Sequence, residues 1–272
     1  MMQRELVIDM DLNDWGKVRD VLCACGTEKT LCDTCWLLVE MAAEVCRVLL
    51  SDYYGLGPML MTYSGGRGCH LWWGTTAART LSHRELLLLG DTLLEYPPTF
   101  ERVNRDLLDV AGHVIEKIWV ARGIQGRALL ADAQVPDTPG YRLWQKMLTY
   151  GPAVDVPPQP GLSPEARSRQ HWEAWWTRGY THPDARLKFL LEMGWPRIDR
   201  QVTMEKQQKV KLPFSIHKST GRVSLPLRDA QVQQPRDIPV VQQVLRGEQA
   251  ALEQWRTGVD VLDAWLTECG YN

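Results

Sequence analysis

Residues 58–73 read Pro58-Met-Leu-Met-Thr-Tyr-Ser64-Gly-Gly-Arg67-Gly-Cys-His70-Leu-Trp-Trp73. Two short apolar runs, Pro58 to Tyr63 and Cys69 to Trp73, flank Ser64-Gly65-Gly66-Arg67-Gly68. Glycines between strand-forming runs read as a hairpin or tight turn. Upstream, Glu5-Leu-Val-Ile-Asp-Met-Asp11 ends in apolar–polar alternation and reads as a further strand. Between the two, Trp36 to Ser51 carries apolar residues at helical spacing. Downstream, helices are expected over 82–95 and 100–121, the second with Val103, Leu107, Val110, Val114 and Ile118 on one stripe. Residues 151–164 contain five prolines and read as a connecting loop. Ser163-Pro164-Glu165 then opens another helix, with Ser as N-cap and Pro at the first position. A β-rich segment is expected from about 196 to 227, and one or two helices close the chain. The class is mixed α/β, with strands near both ends and helices between them, the region 80–195 being mainly helical.

Composition narrows the function less than the motifs do. The chain has 272 residues, 44% hydrophobic and 24% charged, which excludes collagen-like, disordered and disulfide-framework classes. A net charge of −2 gives no global sign of a nucleic-acid binder. Arg outnumbers Lys by 22 to 9, and Arg is the side chain that grips phosphate bidentately. The most apolar stretch, Trp36 to Leu50, is interrupted by Glu40, Glu44 and Arg47, so no membrane span is expected. The opening Met-Met-Gln-Arg, with Glu5, Asp9 and Asp11 close behind, does not read as a secretory signal. Four of the seven cysteines therefore point to an intracellular metal site rather than to disulfides.

Cys23-x-Cys25 and Cys32-x-x-Cys35 place four soft ligands in a 23–35 loop, which suits a closed, structural Zn²⁺ site. Cys46, Cys69 and Cys269 read as small buried hydrophobes. Asp9 and Asp11, two residues apart on a strand, project from one face and suit Mg²⁺ or Mn²⁺; equally, they can start a turn at Asn13-Asp14. The Ser64–His70 turn offers backbone amides, a hydroxyl, a guanidinium and an imidazole to a triphosphate, or is a turn with incidental polar residues. Residues 197–222 hold seven basic side chains against Asp199 and Glu205, either a solvated face or a phosphate-binding strip. Asp199, an acid among bases in a strand-like run, fits a third metal carboxylate. Trp144, Trp172, Trp175 and Trp176 are candidates for a partner interface or for core between helices.

Together these pieces resemble the catalytic small subunit of the archaeal-eukaryotic DNA primase family. The matching segments are Glu5 to Asp11, the four cysteines ending in Cys35-Trp36, and Tyr63 to His70. They continue in Trp195-Pro-Arg-Ile-Asp199, Lys211-Leu-Pro-Phe-Ser-Ile-His217 and Thr220-Gly-Arg-Val-Ser-Leu-Pro226. Order and spacing agree along about 220 residues, and the eukaryotic branch fits better than the archaeal one. The resemblance implies one catalytic domain over 1–272, an α/β (α+β) fold with a mixed sheet flanked by helices, and a small zinc-binding loop. It implies that Asp9, Asp11 and Asp199 carry two catalytic Mg²⁺ or Mn²⁺ ions. It implies that Ser64, Arg67, His70, Lys211 and His217 hold the incoming nucleoside triphosphate, and that Cys23, Cys25, Cys32 and Cys35 hold Zn²⁺.

The activity implied is template-directed synthesis of short RNA primers on single-stranded DNA, in the nucleus. The partners implied are a large primase subunit, in a heterodimer, and a replicative DNA polymerase. Two other readings are a primase-polymerase of repair or mobile-element type that extends DNA, and a truncated, non-catalytic zinc-stabilised scaffold. Two departures from the pattern stand out. Gly66 occupies a position where many eukaryotic relatives carry a second Arg, which removes one phosphate contact. Family members also carry a segment before the first Asp strand, so a truncated product, a minimal form or half of a split enzyme is expected.

Overall fold

The structure, a computed structural model, describes residues 4–23, 25, 31–93, 103–151, 154–178, 184–204, 209–228 and 237–271. A four-stranded sheet is built from β1 (Leu6–Asp11), β2 (Met59–Tyr63), β3 (Gly68–Trp73) and β4 (Pro226–Leu227), in the order β1-β3-β2-β4. Every pairing is antiparallel. The expected α/β class holds, but the sheet is antiparallel throughout where a mixed one was expected. The Ser64–Arg67 turn folds β3 back on β2, and β1 joins the far edge of β3 in the opposite sense.

Strand periodicity gives the sheet two different faces. Leu6, Ile8 and Met10 of β1, with Cys69, Leu71 and Trp73 of β3 and Met61 and Tyr63 of β2, enter the main core. That core is closed by the helices that follow, α1 (Gly16–Leu22) and α2 (Asp33–Arg47), the latter buried on almost every side. At its end α2 widens into a π-helical turn over Val48–Tyr53.

The helical region comprises α3 (Thr76–Arg79), α4 (His83–Leu93), α5 (Arg105–Ile118), a second π-helical stretch (Trp119–Gly126), α6 (Pro139–Leu148), α7 (Pro164–Arg178) and α8 (Ala185–Gly194). Helix α7 starts as expected, with the Ser163 hydroxyl accepting from the Ala166 amide at 3.2 Å. In α5 the stripe is rotated from the expected one. Leu107, Leu108, Ala111, Ile115 and Ile118 are buried, while Val110 is 39% exposed. Val110 and Val114 lie on the shoulder, because α2 and α8 both pack on α5 and pull its buried arc toward their shared side. Trp172 and Trp175 are core, Trp144 is buried, and Trp176 packs partly against them, stacked at 4.9 Å on Trp172. These rings fill the space between helices, so the interface reading gives way to the core one.

The segment from 196 to 227 is not β-rich. Its described residues form α9 (Arg200–Met204), two isolated bridges and the two-residue β4. Helices α10 (Val241–Leu245) and α11 (Gln249–Glu268) follow. On the second face of the sheet, Val7, Leu60 and Trp72 pack with Trp265 and Cys269 from α11 and its end. Helix α11 thus covers the half of that face that begins at Val7. The half that carries Asp9 and Asp11 lies beyond it. Cys46, Cys69 and Cys269 are buried thiols, as expected. No helix among the described residues is long and apolar enough to cross a membrane.

Candidate active site

The strand register decides what meets at the half of the sheet that α11 does not cover. Asp9 lies directly across from His70, which in turn lies across from Thr62; Asp11 lies across from Gly68. Residues opposite one another share a face, so Asp9, Asp11 and His70 project together. His70 Nε2 is 3.5 Å from Asp9 Oδ1, and Arg67 Nε is 3.8 Å from Asp11 Oδ1. Gly68 is required by this pairing: a Cβ there would lie 1.8 Å from the Met10 carbonyl oxygen.

The turn itself is organised by Ser64. Its hydroxyl oxygen accepts from the amides of Gly66 and Gly68, at 3.4 and 3.3 Å, which leaves its own proton to donate elsewhere. A second loop clasps the turn. Thr220 Oγ1 donates to the Gly65 carbonyl at 2.6 Å, and Lys211 Nζ donates to the Ser64 carbonyl at 3.4 Å. The Thr220 amide donates to His217 Nδ1 at 3.3 Å. A neutral His217 therefore carries its proton on Nε2, the nitrogen nearest Gly66.

Asp9, Asp11, Ser64, Arg67, His70, Lys211 and His217 line one open cleft of about 300 Å³. Asp199 is not among the residues that line this cleft, and it lies beside Asp9 without being the strand residue expected. It caps α9, its Oδ1 accepting from the Gln201 amide at 2.8 Å, and its own amide donates to the Asp9 carbonyl at 2.9 Å. The strand-like pattern misled because Ile198 and Val202 happen to frame a helix start. Asp11 also accepts from the Asn13 amide at 2.9 Å, so the turn-starting reading and the cleft-facing one are both true of it.

Charge crowding shows in the titration of these groups. The Asp9 carboxyl is pushed up to about 6 by burial and then by Asp199 and Asp11. His70 is pushed down to about 4, by burial first and Lys211 second, so at neutral pH it is an uncharged neighbour of Asp9. Burial also lowers Lys211. A divalent cation would stabilise the Asp9 carboxylate, and a phosphate would offset the charge of Lys211. The oxygen-only set of acids suits Mg²⁺ or Mn²⁺.

The basic run of 197–222 is not one strip. Arg197 donates to the Asp14 carbonyl at 2.7 Å and Arg222 to the Ile238 carbonyl, so both serve backbone; Glu205 and Lys206 lie outside the described residues. Lys211 and Lys218 do line the cleft. Beside Lys218 of the expected basic run, Ser219 and Thr220 line it too, beyond the site residues expected from the sequence. Their signal was adjacency to His217 in a Thr-Gly turn, and Gly221 takes the φ of +67° that lets the loop double back.

The four cysteines form a separate cluster, with their Sγ atoms all within 4.8 Å of one another and no disulfide among them. Tetrahedral Zn–S bonds of about 2.3 Å place sulfurs about 3.8 Å apart, so the four fit one ion. Cys25 is pushed up to about 12, chiefly by burial, and Cys23 to about 11, chiefly by its hydrogen bond with Cys32; Cys35 is also raised, by its bonds with Cys23 and Cys32. Cys32 alone is pushed down, chiefly by its hydrogen bonding with Cys23 and then with Cys35. A dication is what would let all four sulfurs be thiolates at once.

Acids, cations and imidazoles thus converge in one cleft at the open end of an antiparallel sheet, a donor set chemically suited to a phosphate compound with a divalent metal. A model of the DNA primase small subunit family matches residues 8–229, and the chain belongs to that family. Among curated relatives, the DNA primase small subunit of Drosophila melanogaster is 27% identical, the match covering 90% of this chain and 60% of that protein. That of Caenorhabditis elegans is 25% identical over 86% of this chain and 62% of its own length. That of Schizosaccharomyces pombe is 22% identical over 90% and 57%. All three are eukaryotic, in keeping with the branch expected from the motifs. The chain spans about 60% of the length of these relatives.

Proposed function

We propose that this chain carries the nucleotidyl-transfer centre of a DNA primase, which makes short RNA primers on a single-stranded DNA template. The observation that supports this most is the convergence of Asp9 and Asp11 with Ser64, Arg67, His70, Lys211 and His217 around one cleft. Asp9, Asp11 and Asp199 are the residues that would hold two Mg²⁺ or Mn²⁺ ions. Bound there, such ions activate the primer 3′-hydroxyl and offset charge on the leaving pyrophosphate.

The side chains divide the remaining work. Asp9 gives up its proton when a cation arrives, and His70, neutral beside it, fixes the carboxylate across the strand pair. Arg67 and Lys211 balance the triphosphate charge. The Ser64 hydroxyl and the His217 Nε2–H donate to phosphate oxygens. Attack by the 3′-hydroxyl at the α-phosphate needs no covalent intermediate on the protein, so no cysteine or serine acts as nucleophile. The four cysteines hold a structural Zn²⁺ that ties α1 to α2. Within the nucleus the chain would pair with a large primase subunit and hand primers to a replicative polymerase.

Dinucleotide synthesis by the purified chain on single-stranded DNA with Mn²⁺ tests this reading. Asp9→Ala and Asp11→Ala are each expected to abolish it, and undiminished synthesis by either variant rejects the assignment.

A further inference from the structure

We infer that Arg19 is a positioning residue for the metal held by the four cysteines, donating an N–H···S bond to Cys35 and offsetting thiolate charge. The inference rests on the reading of that cluster as a zinc site. Arg19 is 4% exposed, and its Nε lies 3.3 Å from Cys35 Sγ. A buried guanidinium is costly unless an anion or strong acceptor faces it. One acceptor here is a sulfur of the metal cluster.

The placement is economical. Arg19 sits in the last turns of α1, and its carbonyl accepts the Cys23 amide at 3.1 Å. Its side chain crosses to Cys35, in the first turn of α2, where the Cys32 sulfur also accepts the Cys35 amide at 3.4 Å. One residue therefore touches both halves of the cluster, by its backbone on the Cys23 side and by its side chain on the Cys35 side. Zn²⁺ with four thiolates carries a formal charge of −2 in a partly buried loop. A fixed guanidinium halves that charge, and the N–H···S bond draws electron density from Cys35, easing repulsion among the sulfurs. Groups that orient or polarise metal ligands in this way typically change metal affinity by about 10- to 100-fold when removed.

The test uses the full chain and reads zinc rather than activity. Zinc content of the unaltered protein comes first: less than one ion per chain rejects the zinc reading itself. With that ion present, Arg19→Met, which keeps the stem and loses the donors, is expected to weaken zinc binding by about tenfold or more in competition with a chelator. Arg19→Lys, which keeps the charge without the planar donor fork, is expected to lie between the two. Co²⁺ in place of zinc separates this role from packing, because a lost N–H···S bond shifts the thiolate-to-cobalt charge-transfer band. An unshifted band, or zinc affinity unchanged in Arg19→Met, overturns the inference. Should Arg19→Met not fold, the same two measurements on Arg19→Lys decide it.

Discussion

The amide of Asp199 donates to the carbonyl oxygen of Asp9 at 2.9 Å, joining two acids that lie 190 positions apart in the chain. Strand β1 is an edge of the sheet, so its outer carbonyls need partners that no strand supplies. The start of α9 supplies one, and Arg4 adds to the same seam by donating to the Val202 carbonyl at 3.2 Å. The third acid thus arrives as a helix cap docked on a strand edge, and its charge bears on Asp9.

Replacing Asp199 separates cap from charge. Asn at an N-cap accepts as Asp does, so Asp199→Asn is expected to keep stability within about 0.5 kcal/mol, whereas Asp199→Ala loses about 1 kcal/mol. Both variants should lose primer synthesis, because both remove the carboxylate. Chemical denaturation and dinucleotide synthesis on the same samples check this. A fully active Asp199→Asn protein removes Asp199 from the metal set.

Asp9 gives the metal-free protein a pH dependence of definite sign. Its folded value, about 6, lies above the ordinary carboxylate value of 3.8. The native state therefore holds this proton more tightly than the unfolded chain does. The stability so contributed is complete below about pH 4 and is lost as pH rises through about 6. Asp9→Asn removes the titration. Without divalent metal it should melt higher than the unaltered protein at about pH 7.5, and the gap should close toward about pH 5. Saturating Mn²⁺ should raise the melting temperature of the unaltered protein only. A variant that is no more stable at the higher pH contradicts the crowding described here.

Much of this site was legible in the sequence because strand alternation and a glycine turn are local signals. Asp9 and Asp11 two apart on a strand, and the Ser64–His70 turn, place five polar groups without any long-range knowledge. The cysteine spacing was equally local. What failed was non-local. Arg-Ile-Asp-Arg-Gln-Val shows strand-like alternation, yet Asp199 caps a helix, because docking on the β1 edge overrides a weak pattern. The buried arc of α5 lies part of a turn away from the stripe that periodicity implies, since two packing helices set it. The sheet's direction followed from how β1 meets β3, which periodicity does not encode.

Gly68 and Gly161 offer a matched contrast. At Gly68 a Cβ would meet the Met10 carbonyl oxygen at 1.8 Å and push β1 from β3, while at Gly161 the φ of +86° faces open space. Gly161→Ala should cost about 1 kcal/mol from backbone strain alone. Gly68→Ala should cost on the order of 3 kcal/mol or more and take activity with it, because β1 carries Asp9 and Asp11. Equal losses in urea titrations of the two variants contradict the close strand approach.

Gly66 stands where the resemblance leads one to expect a second Arg, and the geometry of the cleft indicates what introducing one should do. A Cβ at Gly66 would lie 3.2 Å from His217 Nε2, tight enough that the ring must shift by a few tenths of an ångström. The Nδ1 side of that ring is held by Thr220, so a small tilt is the available response. The added guanidinium would face the same space as Arg67 and Lys211, and a third cation raises affinity for a triphosphate more than a tilted imidazole lowers it. Gly66→Arg is therefore expected to tighten nucleoside triphosphate binding by about threefold to tenfold at low salt. The gain should shrink as ionic strength rises, since the added attraction is partly solvent-exposed. Titration of a labelled triphosphate across a salt series measures it. Binding unchanged or weakened at low salt means that the turn does not face the triphosphate, and the assignment of Ser64 and Arg67 to phosphate fails with it.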